Sequence, residues 1–503
     1  MANHLFDKLL SGAAGSAAPF LHLPDGTVIS YGEFHDATGR FAAALSSLGL
    51  KPGDRLALQL EKSPHALTLI FACIRAGVVF LPLNTAYTAD EVGYFVSDSG
   101  ASVVLGDGSK IDALAEKIGG DGIRFLSLNP DGSGSFADTV GRAPSEFETI
   151  ARGPDDLAAF LYTSGTTGRS KGAMLTQDNL LSNALTLADL WRFTKDDVLL
   201  HALPIFHTHG LFVATNVMLS VGGSMIFLPK FDLDQMIDMM PKATSMMGVP
   251  TFYTRLLGDP RFTKELTAHM RLFVSGSAPL LAEVHTQFEA ATGHRILERY
   301  GMTETNMNTS NPYDGERKAG TVGFPLPDVS LRIVNPETGA AVPDGDVGEI
   351  EVKGPNVFKG YWNMPEKTKE EFRPDGYFRT GDLGQIGSDG YVRIVGRSKD
   401  LIISGGYNIY PKEIELLLDD QPGVKESAVV GVPHADFGEG VVAVLVPDGG
   451  AGPDTAAIEK SIAGSLARFK QPKAYFTLDE LPRNTMGKVQ KNMLRDRFKD
   501  TFA

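Results

Sequence analysis

The spacing of apolar positions changes along the chain, and each change predicts a different kind of element. From the start to about residue 150, helical spacing alternates with short apolar runs. The stretch from Tyr31-Gly-Glu-Phe to Leu48 is amphipathic with a helical period and predicts a helix ending near Gly49. Arg55-Leu-Ala-Leu-Gln-Leu60 and Val79-Phe-Leu-Pro-Leu83 predict strands, and the Gly-, Asp- and Ser-rich stretch Asn129 to Ser135 predicts an exposed loop. The alternation resumes from 155 to about 320, with strands expected at Leu157-Ala-Ala-Phe-Leu-Tyr162, Val198-Leu-Leu-His-Ala-Leu203, Ser224-Met-Ile-Phe-Leu228 and Leu272-Phe-Val-Ser275. Alternating helix and strand implies α/β layers. From about 320 to 398 the period becomes two, in Val329-Ser-Leu-Arg-Ile-Val334, Gly348-Glu-Ile-Glu-Val352 and Gly390-Tyr-Val-Arg-Ile-Val395. A last α+β segment follows Asp400, with a helix starting at Pro411 and strands around Glu426-Ser-Ala-Val-Val-Gly-Val432 and Val441-Val-Ala-Val-Leu-Val446. The pattern predicts an α/β fold with a large domain over 1–398, a small one over 399–503, and a boundary at Lys399.

Length supports more than one domain, because 503 residues exceed one ordinary core. Charge removes two classes of partner. Lys plus Arg (47) minus Asp plus Glu (61) gives −14, which disfavours nucleic acid or an anionic membrane. Cys73 is the only cysteine and lies in an apolar run, so it is expected in the core, and no intramolecular disulfide or Cys-based zinc site can form. No His-Glu-x-x-His pattern occurs among the 11 histidines. With no secretory pattern and no apolar stretch of membrane-spanning length, a soluble cytoplasmic protein is expected.

The most chemically specific segment is Thr163-Ser-Gly-Thr-Thr-Gly-Arg-Ser-Lys-Gly172. Glycines allow close backbone approach to a phosphate, successive N–H groups can form an anion nest, and hydroxyls, Arg169 and Lys171 add donors and charge. It is not the Walker pattern, since no Lys-Ser/Thr pair follows the glycines at that spacing.

That loop is followed in order by Tyr300-Gly-Met-Thr-Glu304, Tyr377-Phe-Arg-Thr-Gly-Asp382, Gly396-Arg-Ser-Lys-Asp400, Ser404-Gly-Gly-Tyr-Asn-Ile-Tyr-Pro411 and Pro482-Arg-Asn-Thr-Met-Gly-Lys488. Together these resemble the acyl-adenylate-forming superfamily of acyl-CoA synthetases, luciferases and peptide-synthetase adenylation domains, over essentially the whole chain. The resemblance implies a large domain of two α/β layered subdomains completed by a small β-barrel, and a mobile C-terminal domain. It implies ATP and CoA as co-substrates and Mg²⁺ as cofactor. Activation by ATP makes chemical sense, because a carboxylate does not react with a thiol until its oxygen becomes a good leaving group. The resemblance assigns ATP or AMP binding to Thr163, Ser164, Gly165, Thr166, Thr167, Gly168, Lys171, Tyr300, Thr303, Asp382, Arg397 and Lys488. Tyr300 would stack on adenine, Thr303 would meet the α-phosphate, and Asp382 would hold the ribose hydroxyls, with Arg397 adding donors. Glu304 would ligate Mg²⁺ through oxygen. Lys488 would bridge carboxylate and α-phosphate in catalysis, and Thr303, Glu304 and His207 join it as catalytic candidates. Lys399 takes the hinge position, and Ser404, Gly405 and Gly406 would line a tunnel for CoA. Acylation of Lys488 by a protein acetyltransferase would remove its charge.

The family's acyl pocket corresponds here to His207-Thr-His-Gly210, Pro250 to Arg255, Ser275-Gly-Ser-Ala-Pro279 and Tyr300 to Ser310. These segments are polar where a fatty-acid pocket would be apolar, which points to a small acid with a second polar group. Arg255 is the expected partner of a second carboxylate, unless it pairs with a protein acid or faces solvent. Thr208, His209, Ser277 and Met307 are the other expected acid contacts. Ile205-Phe-His-Thr-His-Gly-Leu211, the run Arg299 to Ser310 and Phe358-Lys-Gly-Tyr-Trp362 resemble the bacterial malonyl-CoA synthetase branch. That implies malonate, with methylmalonate as a second substrate. The alternatives are a medium-chain or aromatic acyl-CoA ligase and, outside enzymes, a nucleotide-binding sensor of the same fold.

Overall fold

A computed structural model describes residues 3–502 except 121, 145, 164–169, 405–406, 450–451, 464–465, 467 and 485–486. Its chain forms two compact units, Met1–Ser330 with Lys353–Phe378, and Leu331–Val352 with Arg379–Ala503. This grouping reflects which segments pack together. The boundary expected at Lys399 concerns which segments turn together, and it returns below as a proposal.

The first unit holds two sheets. One has six strands in the order Arg124–Ser127, Val103–Gly106, Arg55–Gln59, Val79–Pro82, Leu157–Thr163 and Lys171–Thr176, all parallel except the last. The other has nine strands, with a parallel centre made of Leu297–Met302, Leu272–Ser275, Ser245–Gly248, Val198–His201, Ser224–Phe227 and Pro19–His22. Strands such as Leu272–Ser275 and Ser224–Phe227 are buried along their whole length, because helices cover both faces of a parallel sheet. That is why they read as unbroken apolar runs rather than as alternation. Antiparallel strands, Asn306–Ser310 and Phe324–Pro325, finish one edge.

Helix limits follow local chemistry. The helix Tyr31–Ser47 begins at a capping box, in which Ser30 Oγ accepts from the Glu33 N–H and the Glu33 carboxylate accepts from the Ser30 N–H. Its buried face includes Phe34, Phe41 and Leu45. Behind the nine-stranded sheet, Met236, Tyr253, Leu256, Phe273 and Phe288 form part of one apolar cluster. Cys73 is buried, as expected. The stretch Asn129–Gly134 is a turn, and Ser135 opens the helix Ser135–Arg142.

The second unit contains the period-two strands Ser330–Val334, Gly348–Lys353, Phe378–Ile386 and Val392–Arg397, adjacent in that order, with their end residues on the unit boundary. Its other sheet pairs Val424–His434 antiparallel with Gly438–Pro447. Along that pair successive side chains enter two different cores. Val429, Val441 and Ala443 pack with Ile414 and Leu418 of the helix Pro411–Asp419, whereas Val430, Val442 and Val444 pack with Leu494 of the helix Lys491–Phe498. Both faces are covered along Ala428–Val432 and Val441–Val446, so those stretches carry no polar side chain. Among the described residues no helix is long and apolar enough to cross a membrane.

Candidate active site

Parallel strands deliver their carboxyl ends to one edge of a sheet, and ligands of open α/β sheets bind beyond that edge. Here the edge leads into the segments that carry the chemistry. Val198–His201 runs on to His207 and His209, Ser245–Gly248 to the helix Pro250–Leu257, Leu272–Ser275 to Ser277, and Leu297–Met302 to Thr303 and Glu304.

At the phosphate end, Thr163 and Lys171 face each other across an antiparallel pair. The loop between them, with Ser164, Gly165, Thr166, Thr167 and Gly168, lies outside the described residues. Backbone hydrogen bonds from Met174 N to Gly360 O (3.0 Å) and from Trp362 N to Gly172 O (2.8 Å) lay the Gly360–Trp362 segment along the second strand. This places Tyr361 beside Glu304. The Tyr361 hydroxyl donates to Glu304 Oε1 at 2.9 Å, and Thr163 Oγ1 donates to the same oxygen at 3.4 Å. Lys171 Nζ stands 4.1 Å above the Tyr361 ring and 3.8 Å from Glu371. Burial lowers the Lys171 pKa, and Glu371 and Glu304 oppose that shift. Among the described residues no group of three or more His, Cys, Asp or Glu side chains could hold a metal by itself. A single buried carboxylate, here Glu304 with Thr163 and Tyr361 on it, fits Mg²⁺ nonetheless, because that ion is commonly held by one or two carboxylates together with substrate phosphates. Tyr361 was not singled out by its sequence, where it is one aromatic in a Gly-Tyr-Trp turn.

At the other end of the site, alternation along Leu297–Met302 puts Arg299 and Gly301 on one face and Glu298 and Tyr300 on the other. Met307 pairs with Gly301 across the hairpin, just past an irregularity in the register after Tyr300. Asn183 fixes Met307, donating to its carbonyl at 2.9 Å and accepting from its N–H at 3.2 Å. Arg299 lies over Gly276, where a Cβ would come within 2.3 Å of the guanidinium carbon, so any other residue there would push the guanidinium aside. The neighbouring Ser277 Oγ is 3.2 Å from His209 Nδ1, and the His209 N–H donates to His207 Nδ1 at 3.2 Å. Arg299 is 4% exposed, and its Nε and Nη2 have no hydrogen-bond partner among the described residues. The buried Thr208 Oγ1, His209 Nε2 and Ser275 Oγ also have no hydrogen-bond partner among the described residues. Unsatisfied polar atoms at this density are costly unless a ligand completes them. Burial pushes the Arg299 guanidinium down to about 9. His209 is held well below the usual imidazole range by burial first and then by Arg299, His207 and His201, so it is neutral.

Arg255, the expected carboxylate partner, is elsewhere. The helix Pro250–Leu257 turns Tyr253 and Leu256 inward, which leaves Arg255 on the exposed face with its guanidinium 5.6 Å above the Phe231 ring. Helical period decides this, since a residue between two buried ones at i and i+3 points away from them. The cation brought to His209 and Ser277 is Arg299. The signal for it was a pair of adjacent charged residues, Glu298 and Arg299, inside a strand buried over its first four residues.

In the second unit, Asp382 and Arg397 are cross-strand partners, joined by an ion pair of 2.8 Å from Nε to Oδ1. Thr380 Oγ1 accepts from the Asp382 N–H at 3.0 Å and donates to Ile350 O at 2.7 Å, which holds the strand where Gly381 takes φ +67°; the turn expected at Thr380-Gly381 is part of the strand Phe378–Ile386. Lys399 is exposed, and the desolvation its amine still feels, followed by Arg397, lowers its pKa. Ser404 is buried, while Gly405 and Gly406 lie outside the described residues. Lys488 sits in a tight return. Its N–H donates to Asn484 Oδ1 and the Asn484 N–H donates to its carbonyl, both at 2.9 Å.

Comparison with known proteins is consistent with this geometry. The AMP-binding enzyme family matches residues 13–362, and the AMP-binding enzyme C-terminal domain matches 413–488. A malonate–CoA ligase of Arabidopsis thaliana is 35% identical over 98% of this chain and 88% of its own length. A feruloyl-CoA synthase of an Amycolatopsis species is 36% identical over 94% of each chain. The crystal structure of ATP-bound MatB from Rhodopseudomonas palustris superposes with a TM-score of 0.97 at 60% identity, covering 100% of both chains.

Proposed function

The chain belongs to the AMP-binding enzyme family, and from that premise we propose that it is an ATP-dependent malonate–CoA ligase. Overall identity does not choose the acid, since relatives named for malonate and for ferulate are equally similar. The buried, unpartnered Arg299 carries the choice. An aromatic or medium-chain acid would leave that guanidinium uncompensated, whereas a dicarboxylate supplies a planar anion for it.

The reaction runs in two steps. One carboxylate oxygen of malonate attacks the α-phosphorus of ATP, and the bond to the β,γ-diphosphate breaks to release pyrophosphate. The CoA thiol then attacks the acyl carbon, loses its proton, and displaces AMP. In this reading Arg299 holds the second carboxylate, with Thr208, His209 and Ser277 supplying hydrogen bonds, and Met307 crowds the central carbon. Neutral His209 suits the role, because it can donate or accept without adding a second buried charge. Glu304 would hold Mg²⁺, whose contribution is to neutralise phosphate charge. Thr303 meets the α-phosphate, Tyr300 the adenine, and Asp382 and Arg397 the ribose. Lys488 stabilises the charge that develops between carboxylate and α-phosphate. Arg299 replaces Arg255 in this assignment. The proposal places this chemistry in the cytoplasm.

Pyrophosphate exchange into ATP, measured with Mg²⁺ and a panel of acids, tests the reading. Malonate should give the highest kcat/KM. Methylmalonate should follow within the about 1–3 kcal/mol that one methyl group can cost. A medium-chain or aromatic acid that outpaces malonate would overturn the assignment, and no exchange with any acid would point to a nucleotide sensor.

A further inference from the structure

Lys62 and His201 form a buried pair that the reaction described above does not use. Lys62 follows the strand Arg55–Gln59, is 7% exposed, and has no carboxylate partner among the described residues. Its Nζ lies 2.8 Å from His201 O, 3.0 Å from His201 Nδ1, and 4.2 Å above the Phe227 ring. Burial lowers its pKa well below the usual lysine value. Keeping an amine there is expensive, so its contacts have to serve something.

They lead to the acid pocket. His201 Nε2 is 2.9 Å from Gly210 O. A carbonyl can only accept, so Nε2 carries the proton and Nδ1 is the acceptor that Lys62 satisfies. Thr215 Oγ1 donates to the same carbonyl at 2.9 Å. Gly210 belongs to a π-helical turn, His209–Thr215, which is entirely buried and begins with the histidine that faces Ser277. A wide turn of this kind has poorer backbone hydrogen bonding than an α-helix and recurs at functional sites. A Cβ at Gly210 would lie 2.1 Å from Pro204 O, so the turn is pressed onto the segment that follows His201. On its other side the turn packs against Asn306–Ser310, the strand that carries Met307.

We propose that Lys62 and His201 are positioning residues which, through the Gly210 carbonyl, set the π-helical turn and so hold Thr208 and His209 at the distance from Arg299 that a small dicarboxylate needs. The inference rests on the acid-pocket reading. Lys62 acts on the acid and not on ATP, because among the described residues its polar and ring contacts run to His201, Phe227 and, through His201, the turn. His201 supplies a directional donor that an apolar side chain of equal volume could not.

The test is steady-state adenylation by Lys62→Met, His201→Gln, His201→Phe and Thr215→Val, with melting temperatures recorded for each. Lys62→Met and His201→Phe should raise the malonate KM about tenfold or more, the loss of one well-made buried hydrogen bond, while the ATP KM moves less than about twofold. His201→Gln keeps an amide N–H near the Nε2 position and should recover most of the malonate affinity. Thr215→Val, which removes only one of two donors to Gly210 O, should fall between. The double variant Lys62→Met/His201→Phe should be no worse than the more severe single change, as expected for residues acting in series. Malonate and ATP constants that rise together with a falling melting temperature, or no rescue by glutamine, would reduce the pair to a packing role. If Lys62→Met does not fold, the histidine and threonine variants still decide the matter. A wild-type protein that ignores malonate refutes the substrate reading instead, and the same variants are then measured with the acid it prefers.

Discussion

A guanidinium shut away from water with two nitrogens unpartnered is a state that folding alone does not favour, and Arg299 is in that state. Its value lies in what it meets. Removing one member of a buried charge pair costs about 2–5 kcal/mol, so Arg299→Met should raise the malonate KM at least about thirtyfold. Propionate, which brings no second charge, should be affected little, and the ATP KM should stay near that of the wild type. Arg255→Ala should leave all three constants within about twofold, as for a surface substitution. Steady-state kinetics on the two variants with both acids decides between them, and parallel losses with malonate and propionate for Arg299→Met would remove the physical basis of the dicarboxylate assignment. The contrast shows what a residue pattern can reveal by itself. Glu304, Asp382 and Lys488 stand out in sequence because each lies in a short motif with turn residues on either side. Arg299 opens the run Arg299 to Ser310, but its meaning is not legible there, because it depends on Gly276 and His209, which reach it only when four parallel strands are laid edge to edge. Tyr361 was hidden for the same reason, since its contact with Glu304 spans 57 positions.

Elements were easier to read than contacts, although their ends moved, as where the strand expected over Gly390–Val395 runs Val392–Arg397. The helix Tyr31–Ser47 and the strand Leu272–Ser275 follow directly from period and caps. The π-helical turn His209–Thr215 does not, because a continuous apolar run has no period to distinguish one helical geometry from another. The return that carries Lys488 shows a further limit, since its motif is plain but its support is not. Arg483 donates from Nη1 to Gly487 O at 2.6 Å and pairs through Nη2 with Glu426 on the neighbouring strand. Gly487 has φ +73°, which L side chains adopt at a cost. Three residues past Lys488, Lys491 is held to the buried Glu415 at 2.5 Å, which anchors the start of the last helix. Lys491 is therefore committed to structure, and Lys488 remains the candidate for chemistry. Arg483→Ala should slow adenylation about tenfold in kcat, by loosening the return, without changing the ATP KM. Arg483→Lys, which keeps a charge for Glu426, should recover part of the rate. Loss of rate together with a large rise in ATP KM would place Arg483 in nucleotide binding instead.

At the scale of the whole molecule, the proposed reaction asks for two chemistries in succession, phosphoryl attack and then thiolysis, and they need different groups. Lys488 is required by the first, where charge builds on the α-phosphate, and not by the second, where AMP leaves. Lys488→Ala should therefore abolish adenylation while leaving thioester formation from supplied malonyl-adenylate largely intact. The turn Ser398–Asp400 holds the proposed hinge. Lys399 is exposed with Arg397, Asp400 and Arg495 near it, and Asp400 is itself paired with Arg495 of the last helix. A residue that must change its φ and ψ between steps tolerates loss of its side chain better than loss of its freedom. Proline fixes φ near about −65° and also restricts the residue before it. Lys399→Pro should then depress thioester formation more than adenylation, whereas Lys399→Ala, with its backbone free, should retain both within a few fold. The two steps can be measured separately, adenylation by pyrophosphate exchange and thiolysis by CoA-dependent consumption of malonyl-adenylate. Equal losses in both steps for the proline variant, or comparable defects for alanine and proline, would show that Lys399 serves through its side chain and that the turning point lies elsewhere in the chain.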